Sequence, residues 1–489
     1  MQYTSTRGPE QVSGTRAILN GLAADGGLYM PLRFPSLDYR SLLPLSFTGM
    51  AGRIFSLFLD DFDDLPALAQ AAYRDKFDTE EITPLKKVGD RYVLELFHGP
   101  TCAFKDVALS ALPLFMRAAM IREKRPEEIL ILTATSGDTG KAAMEGFKDV
   151  EGIRILVFYP DGGVSPIQER QMRSQEGRNV GVAAIRGNFD DAQTAVKEIF
   201  TLASTDWLPS DAGVMLSSAN SINIGRLIPQ IVYYFKAYAD LVKRGEITEG
   251  DPVDFAVPTG NFGDILAGFF AKKLGLPVGR LICASNANDV LCDFIESGLY
   301  DRNRPFYKTT SPSMDILVSS NLERLLYLLA DEDAAYIRQL MNELKQEGRY
   351  QLRDDLLARL QADFSGGSAG DAEAAEVIRR IWEKEHYLLD PHTAVAWCVS
   401  EKRPPEHPCV VLSTASPFKF PEAVLGAIGA LAPADPFLLM EHLSHLTGLP
   451  VPGGLADLKE RPVRFSDLVE KDGLPDYVLR QIQAGKEKV

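Results

Sequence analysis

A lysine at a strand-to-helix junction is the residue of this sequence best placed for covalent chemistry. The apolar run 92–97 predicts a strand, and residues 98–101 (HGPT) break the chain after it. Lys105 then stands at the head of the apolar segment 107–120, which predicts a helix. An amine near a helix N-terminus and among apolar neighbours favours its neutral form and can act as nucleophile or base. The alternative is a surface lysine that follows a turn.

A second junction, residues 133–140 (TATSGDTG), has the composition of an anion site. Its small residues let a ligand approach the backbone, and the amides at the start of the next helix point outward. A carboxylate or a phosphate fits such a loop. A capped helix, with Asp138 or Thr139 as N-cap, is the structural interpretation, and both can hold together.

Two more junctions complete the set. Residues 258–264 (PTGNFGD) match neither the dinucleotide nor the P-loop pattern, so they predict a nest for a single phosphate, with an ordinary tight turn as the alternative. Thr414 follows a predicted strand, where its hydroxyl either caps a helix or donates to a ring nitrogen. A reactive lysine, a phosphate nest, an anion loop and a hydroxyl for a ring nitrogen together predict pyridoxal 5′-phosphate as cofactor.

The elements that must position these junctions alternate between strands and helices. Residues 128–202 and a second set that begins at residue 253 predict two doubly wound α/β units on parallel sheets. Such sheets bind ligands in the crevice outside the carboxyl ends of their strands. Residues 321–362 and 372–386 predict long charged helices, and the Gly/Ser-rich piece 365–370 predicts a mobile loop.

The composition is that of an ordinary globular protein with two or three domains. The chain has 489 residues and a formal net charge of −15, which argues against nucleic acid and anionic membranes as partners. Its five cysteines are scattered without a C-x-x-C pair, so no metal site or disulfide framework is predicted. Without a signal-like N-terminus or a run of about 18 apolar residues, the chain is expected to be a cytoplasmic enzyme.

Several separate segments, in one order, resemble those of a single enzyme family. They are residues 5–8 (STRG), 21–29 (GLAADGGLY), 98–106, 136–140, 218–226 (SANSINIGR), 258–264, 311–323 and 413–415. In this combination the chain resembles the threonine synthases of the longer bacterial and fungal kind. These are pyridoxal-phosphate enzymes of the tryptophan-synthase-β-like fold type II. The resemblance extends over most of the chain.

The resemblance implies a role for each matching position. Lys105 would form the Schiff base with the cofactor, and Thr414 would face the pyridine nitrogen. The residues that would cradle the cofactor phosphate are Gly260, Asn261, Phe262 and Gly263. The residues that would receive the α-carboxylate of the substrate are Ser136, Gly137, Asp138 and Thr139. The further candidates for substrate binding are Asn220, Ser221, Asn223 and Arg226.

Two of these positions carry alternatives. Arg226 is the first choice for the substrate phosphate, because a guanidinium can grip it in bidentate fashion. A structural ion pair is the other interpretation of Arg226. Cys102 stands where an aliphatic residue is expected, and we interpret it as a packing variant without a catalytic role.

The resemblance also implies a reaction. Threonine synthases convert O-phospho-L-homoserine and water into L-threonine and phosphate by β,γ-elimination and β-addition of water. They are carbon–oxygen lyases acting on phosphates, at the last step of threonine biosynthesis. A threonine-synthase-like phospho-lyase that ends in a keto acid and a non-catalytic pyridoxal-binding protein are the alternatives. Serine or threonine dehydratases and cysteine synthases share the fold, but residues 311–323 and the leading domain favour threonine synthase.

The implied fold is α/β, with two doubly wound parallel-sheet domains, a small N-terminal domain and a helical insertion. We expect the N-terminal domain in residues 1–78 and a small substrate-binding domain in residues 106–234. A large cofactor-binding domain is expected in residues 79–105 and 235–489, with the helical insertion at about 320–390. A monomer is expected rather than an oligomer.

Overall fold

Two largely parallel sheets form the framework of the chain, and a small antiparallel sheet precedes them. The computed structural model describes residues 1–135, 137–187, 189–202, 207–209, 212–430 and 435–486. The strands are β1 (Gln2–Ser5), β2 (Gln11–Ser13), β3 (Tyr29–Pro31), β4 (Leu85–Val88), β5 (Arg91–Glu95), β6 (Glu128–Ala134), β7 (Ile153–Pro160), β8 (Val180–Arg186), β9 (Val214–Ser217), β10 (Val253–Pro258), β11 (Val278–Ser285), β12 (Leu299–Asp301), β13 (Arg349–Gln351), β14 (Phe364–Ser368), β15 (Cys409–Ser413) and β16 (Asp467–Glu470).

Helices cover both large sheets and supply the N-termini on which the site is built. They are α1 (Gly14–Asn20), α2 (Phe47–Phe58), α3 (Leu65–Tyr73), α4 (Lys105–Leu109), α5 (Leu112–Arg122), α6 (Asp138–Phe147), α7 (Pro166–Arg173), α8 (Phe189–Leu202), α9 (Ile224–Lys243), α10 (Gly263–Lys273), α11 (Val290–Ser297), α12 (Leu322–Leu329), α13 (Ala334–Gln346), α14 (Asp354–Asp363), α15 (Asp371–Glu385), α16 (Pro391–Lys402), α17 (Pro421–Ala427), α18 (Pro436–Thr447), α19 (Gly453–Ala456) and α20 (Leu474–Lys486). Among the helices of the described ranges, none combines the length and apolar composition needed to cross a membrane.

The larger sheet has the strand order β14-β11-β10-β15-β5-β4, and all its pairs are parallel except β4–β5. Every residue of β10 and β15 is buried, as expected of central strands covered by helices on both faces. The second sheet has the order β16-β8-β7-β6-β9 and is parallel throughout. The prediction of two parallel-sheet α/β units is confirmed.

The Gly/Ser-rich piece at 365–370 is not a mobile loop, and that prediction was wrong. Most of it belongs to β14, which pairs in parallel with β11. A Cβ on Gly366 would lie 3.0 Å from Cys292 Cα in α11, and one on Gly367 would lie 2.7 Å from Val399 Cγ1 in α16. The glycines are there because helices on both faces approach the strand closely, not because the chain is a linker.

The C-terminal part of the chain crosses to the second sheet. β16 pairs in parallel with β8, so residues 467–470 do not join the larger sheet as the range 235–489 implied. The apolar side of α20, including Leu474 and Val478, packs into the core of the second sheet beside Leu130 and Phe158. β16 itself is mostly exposed, which explains why its pattern carried no strand signal.

Two predicted helices are interrupted. The segment 107–120 is split between α4 and α5, and α5 begins with Pro113 in its first turn, where proline is favoured. The segment 321–362 is three helices, α12, α13 and α14, with the short strand β13 before the last of them. The N-terminal motif at 5–8 binds this region, because Arg7 forms a bidentate ion pair with Glu323 of α12.

Candidate active site

A cavity of about 650 Å³ opens at the carboxyl ends of β6, β9, β10 and β15. It is where a doubly wound sheet is expected to bind its ligand. The predicted site residues that line it are Lys105, Thr139, Asn220, Ser221, Arg226, Gly260, Asn261, Phe262, Gly263 and Thr414. The ends of four different strands therefore bring together residues that lie more than 300 positions apart in the sequence.

Lys105 is the first residue of α4 and is largely buried, with 11% of its side chain exposed. Its Nζ lies 3.3 Å from Ser313 Oγ and 3.9 Å from Asp138 Oδ2. Burial lowers the pKa of Lys105 to about 8; Asp138 opposes this shift, and Lys419 and Arg226 add to it. The lowered pKa gives Lys105 a larger neutral fraction near neutral pH than a free lysine has, and a nucleophile or base acts in its neutral form.

Asp138 begins α6 and is tied to a lysine that sequence reasoning missed. Lys419 is fully buried, and its Nζ lies 2.6 Å from Asp138 Oδ1 and donates to the Thr101 carbonyl. Burial alone would raise the pKa of Asp138, but Lys419 and Lys105 hold it below its ordinary value. Asp138 is therefore a fixed carboxylate beside the reactive amine, and Lys419 neutralises it.

The anion loop is capped differently from the prediction. The Thr135 hydroxyl accepts hydrogen bonds from the backbone N–H groups of Gly137 and Gly140, so neither Asp138 nor Thr139 is the N-cap. Gly137 has φ of 128°, and a Cβ there would collide with the Gln168 side chain at 2.4 Å. Gly137 and Asp138 shape the loop without lining the cavity, whereas Ser136 lies outside the described residues.

Breaking the Asp138–Lys419 pair is expected to destabilise the fold strongly. Lys419→Met leaves a buried carboxylate without its partner, which costs about 3–5 kcal/mol in free energy of unfolding. The double variant Asp138→Asn, Lys419→Met removes both charges and should recover much of that loss. Urea unfolding of the apoprotein measures both. The matched control is Lys402→Met, which removes an exposed lysine paired with Glu373 and should lower the free energy of unfolding by at most about 1 kcal/mol. A loss no larger than this in Lys419→Met would contradict a buried ion pair between Asp138 and Lys419.

A histidine and a serine also line the cavity of Lys105, and neither was predicted. His392 Nδ1 lies 2.8 Å from Asp390 Oδ1, and its Nε2 accepts from the Ser313 backbone N–H at 3.2 Å. These partners place the proton of a neutral imidazole on Nδ1. Ser313 Oγ in turn donates to Asp138 Oδ2 at 3.3 Å. The D-x-H pattern at the start of α16 was the available sequence signal.

Residues 260–263 form the turn between β10 and α10. Phe262 has φ of 62°, and the helix begins at the next residue, so the first N–H groups of α10 face the cavity end of the strand without intrahelical partners. A Cβ on Gly260 would lie 2.5 Å from the Ser313 carbonyl, which leaves room only for glycine. Asn321 holds the loop by donating twice to the Asn261 carbonyl. The geometry suits a single anionic group.

Thr414 follows β15 and is buried at the cavity wall. Its carbonyl accepts a hydrogen bond from the Phe104 N–H at 2.8 Å, so the strand end also fixes the residue before Lys105. Thr414 is not a helix cap, because Ser416 caps the following turn through the N–H of Phe418. Its hydroxyl is thus available to a ligand in the cavity.

Arg226 lies in the first turn of α9 with 2% of its surface exposed. Its Nη1 donates to the Ala219 carbonyl at 3.0 Å, while its buried Nε has no hydrogen-bond partner among the described residues. Burial lowers the pKa of Arg226 to about 10, so it stays protonated at neutral pH. Within the described part of the chain Arg226 forms no salt bridge, which leaves a buried cation facing the cavity and favours the anion-binding interpretation.

Asn223 differs from its neighbours. Its side-chain oxygen caps α9 by accepting from the Gly225 N–H, and its amide donates to the Ile18 carbonyl. It does not line the cavity, unlike Asn220 and Ser221. Asn223 therefore orients the helix that carries Arg226.

Cys102 is buried at φ of 59°, and burial raises the pKa of its thiol to about 12.

Comparison with known proteins identifies the family of the chain. Residues 2–73 match the family model described as threonine synthase N terminus, residues 79–414 the model of pyridoxal-phosphate dependent enzymes, and residues 393–473 the model of the threonine synthase C-terminal region. The chain is 38% identical to threonine synthase of Pseudomonas aeruginosa over 481 residues, which cover 96% of each chain.

Two further relatives show how far the similarity extends. The PLP-bound threonine synthase of Brucella melitensis has a TM-score of 0.87 at 39% identity, with 98% of each chain covered. Human threonine synthase-like 1 is 40% identical over 432 residues, and these span 85% of this chain but only 58% of that longer protein. The chain belongs to the threonine synthase family, whose members are pyridoxal-phosphate-dependent enzymes.

Proposed function

We propose that this protein is a threonine synthase that converts O-phospho-L-homoserine and water into L-threonine and phosphate. The observation that carries the proposal is Arg226, a buried cation without a carboxylate partner among the described residues, in the same cavity as Lys105, whose amine has a lowered pKa. A buried unpaired charge is costly unless a ligand of opposite charge completes it. A substrate phosphate is such a ligand.

The residues present fit pyridoxal phosphate. Residues 260–263 offer helix N-terminal amides and a glycine contact too close for any side chain, Lys105 offers an amine whose pKa is lowered to about 8, and Thr414 offers a hydroxyl. When bound, the cofactor supplies an electron sink for a negative charge at Cα of the amino acid. Thr414 can donate to the ring nitrogen without requiring that nitrogen to be protonated.

Two groups of residues in the chain would bind the two anionic ends of the substrate. Arg226, with Asn220 and Ser221, would hold the phosphate group on Cγ, where a guanidinium can bind two oxygens. The start of α6, where Thr139 lines the cavity, would receive the α-carboxylate through first-turn N–H groups that have no intrahelical acceptor. Because Lys419 neutralises Asp138, the α-carboxylate of the substrate does not meet an uncompensated negative charge.

Lys105 would be the proton carrier. Once released from the cofactor, its amine can take the proton from Cα, since it is neutral near its pKa of about 8. A second proton leaves Cβ as phosphate departs from Cγ, Cγ then receives a proton, and water adds its oxygen at Cβ. A proton returned to Cα completes threonine. Ser313, which touches both Lys105 and Asp138, keeps the amine pointed into the cavity.

The pH dependence of cofactor capture follows from the lysine. Only the neutral amine attacks the aldehyde, and its population rises as pH rises through the lowered pKa of about 8. The rate at which apoprotein captures pyridoxal phosphate should therefore increase with pH and level off above about 8, rather than near the 10.5 of a free lysine. Stopped-flow absorbance measures it. A rate still rising steeply between pH 9 and 10 would contradict a buried, neutralised Lys105.

Product analysis separates the proposed reaction from its neighbour. Purified protein supplied with O-phospho-L-homoserine should release phosphate and threonine in a 1:1 ratio. A phospho-lyase would release phosphate with a keto acid and ammonia in place of threonine. No phosphate release, with a cofactor absorbance that responds to the substrate, would indicate a binding protein instead of an enzyme.

A further inference from the structure

The first turn of α12 holds together segments that are far apart in the sequence. Arg324 in this turn is fully buried, and its guanidinium donates to three oxygens. Nε donates to the Tyr29 carbonyl at 3.2 Å, Nη2 to the Ile222 carbonyl at 2.6 Å, and Nη1 to the side-chain oxygen of Asn321. Tyr29 belongs to the N-terminal sheet, whereas Ile222 lines the cavity between β9 and α9. One side chain therefore joins the N-terminal sheet to a loop of the cavity.

Asn321 extends this contact to the turn between β10 and α10. Because its side-chain oxygen accepts from Arg324, its amide nitrogen is directed at the Asn261 carbonyl, to which it donates at 3.0 Å. The backbone N–H of Asn321 donates to the same carbonyl at 3.1 Å. Asn261 lines the cavity, as Ile222 does. Arg324 is thus connected to two loops of the cavity, directly to one of them and through Asn321 to the other.

Stability alone does not account for an arginine at this position. Burial lowers the pKa of Arg324 to about 10, so the guanidinium stays charged at neutral pH. In the described part of the chain its partners are oxygens of neutral groups, and it forms no salt bridge. Burying such a charge is costly, and an apolar side chain of similar volume is often neutral or stabilising in its place. The planar guanidinium adds fixed directions toward three separate oxygens.

We propose that Arg324 is a positioning residue that fixes two turns relative to each other, the substrate-binding turn at 218–223 and the cofactor-binding turn at 260–263. It acts on the first through the Ile222 carbonyl and on the second through Asn321. This rests on the proposed function, which assigns these turns to the substrate phosphate and to the cofactor. Arg324 itself does not line the cavity. Because the Tyr29 carbonyl is its third partner, the N-terminal sheet takes part in holding both turns.

Asn321→Asp tests the contact with the cofactor-binding turn. The new carboxylate still accepts from Arg324, which meets its charge, but it places an acceptor in front of the Asn261 carbonyl where the amide placed a donor. Titration calorimetry of the apoprotein with pyridoxine 5′-phosphate, which has no aldehyde and cannot bond to Lys105, measures the affinity. We expect a loss of roughly five- to tenfold, the effect of about one hydrogen bond. Affinity equal to that of the wild type would overturn the proposal.

Arg324→Met tests the contact with the substrate-binding turn. At saturating pyridoxal phosphate we expect KM for O-phospho-L-homoserine to rise roughly tenfold and kcat to fall less than KM rises, because the partners of Lys105 are unchanged. A purely structural arginine would lower the melting temperature and leave KM unchanged, and that result would overturn the proposal. Arg338→Met is the matched control and should keep the wild-type KM, because Arg338 is exposed and also donates to a carbonyl of the N-terminal segment.

The remaining outcomes separate this proposal from the proposed function. If Arg324→Met does not fold, Arg324→Lys takes its place, since an ammonium keeps the charge but cannot reach three separated oxygens. A loss in only one of the two variants overturns the proposal, because Arg324 would then not hold both turns. Wild-type protein that does not turn over the substrate, or that binds unphosphorylated pyridoxine as tightly as the ester, contradicts the proposed function, and the role of Arg324 falls with it. Wild-type turnover and preference for the ester, with both variants unaffected, overturn the role of Arg324 alone.

Discussion

Replacing Lys105 with alanine is expected to lower the turnover of O-phospho-L-homoserine by at least roughly 10²–10⁴-fold, the range for loss of a positioned acid–base group. The loss should exceed that range if the lysine also forms the covalent bond to the cofactor. No other amine is placed to replace it in the described part of the cavity, because Lys419 is committed to Asp138 and the Thr101 carbonyl. The fold should be retained, since the contacts of Lys105 Nζ with the described residues are long: 3.3 Å to Ser313, 3.9 Å to Asp138 and 5.1 Å to the centre of the Phe104 ring.

Phosphate release in the steady state, with amino-acid analysis of the product, measures this loss. Lys87→Ala is the matched control, because Lys87 lies on the larger sheet but is half-exposed and paired with Glu246 at the surface. It should turn over like the wild type. Unchanged turnover in Lys105→Ala would remove the basis of the proposed reaction.

Replacing Arg226 with methionine is expected to separate activity from stability. Removing one partner of a buried, hydrogen-bonded charge pair costs about 2–5 kcal/mol, which corresponds to roughly 30- to 5,000-fold in kcat/KM for the phosphorylated substrate. The ligand-free protein should unfold at the same temperature as the wild type or higher, because a buried guanidinium with an unsatisfied Nε is replaced by an apolar chain of similar length.

Arg226→Lys supplies the control for charge. An ammonium keeps the positive charge but loses the bidentate geometry, so its activity should lie between the methionine variant and the wild type. Kinetics and thermal unfolding of the apoprotein are measured on the same samples. If Arg226→Met lowered the melting temperature of the apoprotein together with the activity, the residue would be structural rather than a phosphate ligand.

The parts of the site that could be predicted from the sequence are those whose residues are adjacent in the chain. Glycines and hydroxyls that follow a strand directly, as at 258–264 and 133–140, predict an anion site without knowledge of the rest of the fold. Lys105 was singled out by a strand, a break and a helix in order, but its predicted role came from the other junctions and from the family resemblance. These two loops follow strands of different sheets, β10 and β6, so their meeting in one cavity depends on how the two sheets are placed and not on either sheet alone.

The parts that sequence missed depend on contacts between distant positions. Lys419 pairs with Asp138 across 281 residues of sequence, and its only local signal is a lysine in the apolar stretch that surrounds α17. His392 and Ser313 likewise become neighbours only through the fold. The glycines of β14 were misassigned for a similar reason. Glycine occurs both in flexible linkers and in strands packed closely against helices, and the sequence alone does not distinguish the two.

Turnover in water enriched in ¹⁸O tests the proposed chemistry most directly. Elimination cleaves the bond between Cγ and oxygen, so the released phosphate should keep its four original oxygens and carry no label. The hydroxyl oxygen of threonine comes from water and should carry the label in full. Labelled phosphate released together with homoserine would mean attack at phosphorus, and unlabelled threonine would mean that water does not add at Cβ; either result would contradict the account.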